Sequence, residues 1–397
     1  MTTSPTRRTP HTRRPRALGA LADFLRNESA GGIVLVAVVV VALLWANSPA
    51  DSSYIDFTHG HGWAELHTWV NEGLMTIFFL VVGLEIKREL VLGELREPRS
   101  AALPAIAAIG GMVVPALVYF ALTAGTPTAH GWGIPMATDI AMAVGITALL
   151  GSRVPAPLKL FLLALAIVDD LGAIVVIAIF YSDSVAPGAL LGGFVLVGAL
   201  IALRLAKVHT LWPYVALSMG IWWALFEAGV HPTLAGVCLA FVLPAARLER
   251  AEQALHPISS FLIVPAFALV NAGVSLGVGP TRTSWAVVAG LVLGKPLGII
   301  GACALAVRMR LATRPPGTTW RQLVGVASLA GIGFTVSIFV SQLAFAGGTS
   351  GPAINLDTDA AKLGVLVGSV LAACIGAALL VTSTTKADQP TIDAQVV

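Results

Sequence analysis

The sequence predicts an all-α integral membrane protein with twelve transmembrane helices, and three observations support this fold class. Of the 397 residues, 56% are hydrophobic and only 11% are charged, and the mean hydropathy is +0.85, whereas about 25% of residues are charged in a soluble domain. The apolar runs have helical lengths, unlike the roughly 10-residue alternating strands of an outer-membrane barrel. Along the chain, connections rich in lysine and arginine also alternate with connections that contain few of them.

Twelve apolar runs follow one another along the chain, and each is interpreted as one span. They cover Gly31–Trp45, Glu72–Ile86, Ala101–Ala124, Ile134–Leu150, Ala156–Phe180, Gly188–Leu203, Leu211–Phe226, Gly229–Ala245, Pro257–Val274, Trp285–Val307, Leu323–Phe345 and Leu363–Val381. Together they predict one helical domain over residues 18–385, between a basic tail at residues 1–17 and a second tail at residues 386–397.

The distribution of basic residues fixes the predicted orientation. All but three of the 24 lysines and arginines fall on one side of the predicted membrane, the exceptions being Arg282, Lys362 and Lys295. Because basic residues concentrate on the cytoplasmic side, both termini are predicted to be cytoplasmic. The arginines of residues 1–17 predict contact with anionic lipid rather than with nucleic acid.

Two spans are interrupted. The fourth contains Pro135, Thr138 and Asp139, and the eleventh contains Gly331 and Gly333. Such backbone is tolerated at membrane depth where it lines a cavity, and interrupted spans in matching positions of two halves point to inverted repeats. Each is the middle span of a set of three, spans 3–5 and spans 10–12. Because the two sets are seven spans apart, an odd number, they cross the membrane in opposite orientations. We therefore predict inverted-topology repeats with two discontinuous, crossed helices; the alternative is that Gly-rich spans merely pack closely.

Four ionisable residues lie well inside spans: Asp139, Asp169, Asp170 and Lys295. A charged side chain at the bilayer centre costs about 2.5–3.5 kcal/mol on the insertion scale, so such residues indicate function by default. A structural ion pair is the alternative. Carboxylate oxygens, with the hydroxyl of Thr138 nearby, suit a hard cation.

The same oxygens bind protons, and burial beside another carboxylate favours the protonated form. Cation and proton then exclude each other, which turns binding into exchange. A carboxylate pair that releases two protons per monovalent cation would make the exchange electrogenic. Adjacent helical residues point roughly 100° apart, so Asp169 and Asp170 cannot have identical roles, and one of them could face the cation while the other faces Lys295.

A second group of ionisable residues flanks the second and ninth spans and comprises Glu85, Arg88, Glu89, Glu252 and His256. Residues spaced three or four apart on a helix form local ion pairs, which is one interpretation of this group. The other interpretation is a cytoplasmic cation funnel or pH-responsive cluster.

Six motifs make the chain resemble the bacterial NhaA-type sodium/proton antiporters over roughly residues 20–385. These motifs are GLEIKREL at 83–90, MATDIAMAVG at 136–145, AIVDDLGAI at 166–174, GVHPTLAGV at 229–237, GKPLGI at 294–299 and AGIGFTVSIF at 330–339.

The resemblance implies exchange of Na+ or Li+ for two protons across the bacterial inner membrane, in sodium and pH homeostasis. It implies that Asp170 and Asp169 form the essential pair, with Asp170 as cation ligand and Asp169 paired with Lys295. Thr138 and Asp139 would lie at the broken fourth helix, and the Glu85 group would match a pH-response region. It also implies a homodimer formed through an outer hairpin, here within residues 47–70.

Two other functions are compatible with buried carboxylates in a membrane protein. A sodium-coupled organic solute transporter would use similar features, and an intramembrane aspartyl protease also needs buried carboxylates. The protease requires two aspartates facing each other from separate helices, and the adjacent pair, the intramembrane lysine and the paired breaks argue against it. No enzyme activity is expected. The three cysteines lie scattered in apolar runs, so neither a disulfide framework nor a resident metal or other cofactor is expected.

Overall fold

The computed structural model describes residues 16–60, 66–182, 186–208, 210–345 and 356–383, and every regular element in these ranges is a helix. The α-helices are α1 (Arg16–Ala46), α2 (Asp51–His59), α3 (residues 66–91), α4 (Pro98–Thr123), α5 (Ile140–Leu149), α6 (Ala156–Phe180), α7 (Pro187–Leu205), α8 (Trp212–Glu227), α9 (Leu234–Val242), α10 (Ala245–Asn271), α11 (Arg282–Arg308), α12 (Trp320–Leu329), α13 (Phe334–Phe345) and α14 (Leu356–Thr382). A ten-residue 3-10 helix, Pro127–Met136, precedes α5. Shorter 3-10 turns cover Glu94–Arg96, Gly151–Arg153 and Leu276–Val278.

Six of these helices are long and apolar enough to cross a membrane by themselves: α4, α6, α7, α10, α11 and α14. Three bent helix pairs raise the total to nine if each pair is one span. The first pair is α1 with α2, which are bent by 119°. The protein is therefore an all-helical, multi-pass membrane protein. Of the predicted outer segment at residues 47–70, residues 51–59 are helical and residues 61–65 lie outside the described part.

The other three predicted spans correspond to α3, α8 and α9. Helix α3 ends in a charged cluster, and α8 has only 16 residues. Helix α9 has nine residues, about half of what a bilayer requires. The predicted start of this eighth span at Gly229 is wrong, because Gly229 has a φ of +72° after the end of α8, and Pro232 follows it. The predicted N-terminal tail lies outside the described residues except for Arg16 and Ala17, which begin α1.

The two spans predicted to be interrupted are both bent helix pairs. The 3-10 helix and α5 are bent by 42°, and α12 and α13 are bent by 49°. Backbone groups freed at one bend bond the other: the amide N of Asp139 donates to the carbonyl of Ile332 over 2.6 Å. The hydroxyl of Ser337 similarly donates to the carbonyl of Ile134 over 2.7 Å. The two irregular segments thereby satisfy each other's polar groups, as membrane depth requires.

Three helices contain a wide π-helical turn: Trp69–Leu74 in α3, Ser259–Ile263 in α10 and Gly290–Gly294 in α11. The turns in α10 and α11 are followed by Pro265 and Pro296, and a proline inside a helix removes one hydrogen bond and clashes with the carbonyl four residues earlier. The chain sequence thus explains two of the three turns. Turns of this type recur at functional sites.

Helices α4 and α11 pack backbone to backbone at two glycines. A Cβ added at Gly298 would collide with the carbonyl of Gly110, and one added at Gly110 would collide with the carbonyl of Gly298. Small residues allow this close approach in membrane helices. The contact sets the position of Lys295, which lies one turn earlier on α11.

We expect Gly298→Ala to destabilise the protein, because the added methyl group overpacks the α4–α11 contact at a cost of about 1–3 kcal/mol. Its midpoint of thermal denaturation in detergent should fall below that of the wild type. Gly301→Ala is the matched control, since nothing lies within 4 Å of a Cβ at that position on the same helix. Equal midpoints for the two variants would contradict the proposed packing.

Candidate functional site

One oxygen of the buried Asp169 carboxylate, Oδ2, has two partners, whereas Oδ1 has no hydrogen-bond partner among the described residues. Its Oδ2 accepts a hydrogen bond from Nζ of Lys295 over 2.6 Å, and Oγ1 of Thr138 lies 2.6 Å from the same oxygen. The side chains of Asp169 and Lys295 are both 0% exposed. A buried ion pair of this kind is costly to break, because one charge would remain without compensation.

Lys295 directly follows the π-helical turn in α11. Its Nζ also donates to the carbonyl of Met136 at the end of the 3-10 helix. The hydroxyl of Thr138 lies 2.8 Å from the carbonyl of Ala330, just after α12. Helix C-terminal ends carry partial negative charge, so Lys295 and Thr138 place donors where the two bent pairs expose carbonyls.

Asp139 lies at the helix N-termini of the two bends, whereas Lys295 and Thr138 contact carbonyls at the ends of the preceding helices. It is the N-cap residue of α5, where Oδ1 accepts from the amide of Met142 over 3.0 Å. Its Oδ2 also accepts from the amide of Thr335 over 3.2 Å and from the hydroxyl of Thr335 over 2.7 Å, at the start of α13. One carboxylate thus faces the partially positive N-termini of two helices.

Asp170 has the least complete set of partners among the three aspartates. It is buried, and its Oδ1 has no hydrogen-bond partner among the described residues. A cavity of about 60 Å³ lies beside it, lined by Asp170, Asp139, Thr335, Glu85 and His256 together with apolar and small side chains of α1, α3, α10 and α13. The cavity holds enough space for a small cation with water, because a cavity of about 10–15 Å³ already holds one water.

The second predicted group is also brought together, between the end of α3 and the first half of α10. Arg88 bonds Glu252 and lies 3.1 Å from Glu89. His256 Nε2 lies 3.9 Å from Glu85 Oε1. Since Glu85 and His256 also line the cavity at Asp170, this cluster adjoins the aspartate site.

The three carboxylates differ in the positive groups that lie beside them. Asp139 is stabilised by two helix N-termini and Asp169 by Lys295, whereas Asp170 lines the cavity and has an Oδ1 without a hydrogen-bond partner among the described residues. An ionised carboxylate buried without compensation is strongly unfavourable. The ionised form of Asp170 is therefore unfavourable unless a positive charge lies beside it.

Thr335 and two backbone carbonyls were missed by the sequence reasoning. Threonine is common in membrane helices, so Thr335 gives no signal by its type. Its position directly after the Gly-rich break, in GFTVS, is comparable to that of Thr138 beside the other break, and this similarity could have identified it. The carbonyls of Met136 and Ala330 carry no sequence signal at all.

Broken helices that meet around buried carboxylates define a secondary ion transporter as the class of this protein. Among the described residues, no three His, Cys, Asp or Glu side chains are grouped as a resident metal site. The sequence profile of the Na+/H+ antiporter 1 family matches residues 22–380, and the chain belongs to this family.

Curated relatives agree over nearly their whole length. The chain is 49% identical to a Na(+)/H(+) antiporter NhaA of Rhodospirillum rubrum, over 90% of this chain and 96% of the relative. It is 47% identical to the proteins of the same name from Shewanella sp. (strain ANA-3) and Vibrio parahaemolyticus. These alignments cover 90% and 93% of this chain and 96% and 99% of the respective relatives.

The resemblance drawn from the six motifs is thus confirmed. The relatives are antiporters, which are transporters and not enzymes. Neither the sodium-coupled organic solute transporter nor the intramembrane aspartyl protease is favoured by these comparisons.

Proposed function

We propose that the protein exchanges Na+ or Li+ for about two protons, electrogenically, through an aspartate-pair site at which cation and protons compete. The main support is the contrast between neighbouring carboxylates: each has one unpartnered oxygen, but Asp169 is paired with Lys295 through Oδ2, whereas Asp170 lines the cavity. Family membership supports the two transported ions, since the relatives are named Na(+)/H(+) antiporters.

Asp170 is the proposed cation ligand. Asp139 and Thr335 line the same cavity, and their oxygens can contribute to the cation's environment, because hard cations prefer oxygen donors. Thr138 and Asp139 hold the two bends together, and Asp139 tunes the charge near the site.

The two protons exchanged per cation are assigned to two different binding groups. One binds Asp170 and is displaced directly by the cation. The other belongs to the Asp169–Lys295 pair, because a positive ion arriving at the adjacent Asp170 disfavours a proton on either member of the pair. Net movement of one charge per cycle then couples exchange to the membrane potential, worth about 2.3 kcal/mol per charge per 100 mV.

For the architecture we propose twelve spans, with inverted repeats and two crossed discontinuous helices. The bends of 42° and 49° and the hydrogen bonds between them support the crossing. Helices α3, α8 and α9 supply the three spans beyond the nine that meet the length and composition requirement.

The remaining proposals concern surroundings and orientation. Exposed apolar side chains on α4 and α7, such as Leu117, Phe120, Leu191 and Phe194, support contact with lipid in a bacterial inner membrane. Both termini face the cytoplasm, as does the Glu85–His256 and Arg88–Glu89–Glu252 cluster, which responds to pH. Two copies associate through residues 47–70, which include α2. The exchange serves sodium and pH homeostasis.

Acidified vesicles test the proposed function. Purified protein is reconstituted into liposomes with an acidic interior, and a pH-sensitive dye follows the gradient after Na+, Li+ or choline is added. We expect Na+ and Li+ to collapse the gradient and choline to leave it unchanged. A gradient that persists in Na+ and Li+, or that needs an added organic solute to collapse, would contradict the proposal.

A further inference from the structure

Three amide side chains from three different helices form a closed hydrogen-bonded ring. Nδ2 of Asn71 donates to Oε1 of Gln342 over 2.8 Å, Nε2 of Gln342 donates to Oδ1 of Asn271, and Nδ2 of Asn271 donates to Oδ1 of Asn71 over 2.8 Å. Asn71 and Asn271 are buried, and His67 lies beside Asn71 and Gln342. We call these three residues the amide ring. None of them has a role in the site described above.

A layer of aromatic rings lies between the amide ring and the cation cavity. Phe79, Phe267 and Phe339 are buried, and the ring centroid of Phe339 lies 5.4 Å from that of Phe79 and 6.2 Å from that of Phe267. They come from α3, α10 and α13, the same helices that supply the amide ring.

The order along each helix places the cavity, the aromatic layer and the amide ring on one line. Val82, Val264 and Val336 line the cavity, and on each helix the phenylalanine follows three residues further, about 4.5 Å at 1.5 Å per residue. The amides then follow in the same direction, towards lower numbers on α3 and higher numbers on α10 and α13. The ring therefore lies beyond the cavity, at the end away from Glu85 and Glu252.

We propose that the amide ring is the outer gate of the cation pathway and a transit site for a partly dehydrated monovalent cation. In the described state the ring is closed, since each amide oxygen is occupied by a neighbouring amide donor. Rotation of the side chains would turn three neutral carbonyl oxygens towards an arriving ion. This inference rests on the proposed antiport function, which it deepens.

The neutral amide groups of the ring suit brief binding of a passing cation better than tight binding. Carbonyl oxygens replace part of the water shell of a hard cation, but they carry no charge, and conduction requires sites that bind an ion and also release it. Hydrogen bonds between neutral side chains of membrane helices are individually weak, so such a ring can open. Asn71 lies in the π-helical turn of α3, the kind of irregular turn that is frequent at functional sites.

The alternative is that the amide ring only stabilises the packing of three helices. Measuring transport with Na+ added to one side of the membrane at a time separates the two possibilities. The apparent KM for Na+ is measured in reconstituted vesicles, with Na+ added either to the ring side or to the Glu85 side. We expect Asn271→Ala and Gln342→Ala to raise the apparent KM about tenfold on the ring side only. Ser341→Ala is the matched control, because its hydroxyl is buried beside Gln342 but bonds only the carbonyl of Ile338 within its own helix.

Asn271→Asp and Gln342→Glu retain side-chain size and give the ring a charged oxygen. We expect both to lower the apparent KM on the ring side and to slow turnover, since the ion leaves a charged site less readily. Because these substitutions leave no cavity in the packing, the two acidic variants can be measured even if the alanine variants fail to reconstitute. Equal KM changes on both sides, or acidic variants that bind Na+ as weakly as the alanine variants, would overturn the gate. An inactive wild type would instead overturn the antiport function.

Discussion

Replacing Asp170 with asparagine is expected to abolish sodium-dependent proton exchange. The amide keeps the size of the carboxylate but neither carries its charge nor takes up a proton, so the site loses both competing ligands at once. The exchange rate in vesicles should fall by on the order of 100-fold, equivalent to about 2.7 kcal/mol, while the protein should remain folded because the carboxylate has an unpartnered oxygen to begin with.

The control for this experiment is Asp357→Asn, which removes a carboxylate from the exposed start of α14. Its exchange rate should match that of the wild type. An Asp170→Asn variant that exchanges at the wild-type rate would refute the assignment of Asp170 as the shared site, whatever the behaviour of Asp169.

Replacing Lys295 with alanine is expected to have the largest effect on stability. It leaves the buried carboxylate of Asp169 without its cation, and breaking a buried ion pair costs about 3–5 kcal/mol. The midpoint of thermal denaturation in detergent should fall sharply. In the double variant Asp169→Asn with Lys295→Met, both charges are gone, and replacing a whole buried pair is often neutral or stabilising, so the midpoint should recover.

The same double variant tests the second proton. If one proton belongs to the Asp169–Lys295 pair, the variant retains only the exchange at Asp170, with one proton per cation. Exchange should then become electroneutral and insensitive to an imposed membrane potential, whereas the wild type responds to it. A double variant that still moves net charge would place the second proton elsewhere.

The intramembrane charges were predictable because the bilayer makes them conspicuous. Asp139, Asp169, Asp170 and Lys295 stand out from apolar runs by type alone, and the energetic cost of each one demands an explanation. Their differing surroundings also follow in outline from helical geometry, since adjacent residues point about 100° apart. The sequence could not specify the partners, because the contact of Asp169 with Lys295 joins residues 126 positions apart.

Other features depend on tertiary contacts between uncharged groups. Thr335, Asn71, Asn271 and Gln342 are neutral residues of ordinary types, so their contacts with distant helices leave no local pattern. The predicted start of the eighth span at Gly229 was wrong for a different reason: apolar residues lie on both sides of His231, and hydropathy alone does not reveal that α9 begins only at Leu234.

Competition between cation and protons is tested most directly by a calorimetric titration of the purified protein with Na+ at several pH values, in buffers of different ionisation enthalpy. If cation and protons compete for the aspartate pair, Na+ binding releases protons into the buffer, and the apparent Kd rises as the pH falls. We expect proton release to approach two per bound ion in the pH range where the pair is protonated. An apparent Kd that stays constant with pH, with no proton released on binding, would contradict it.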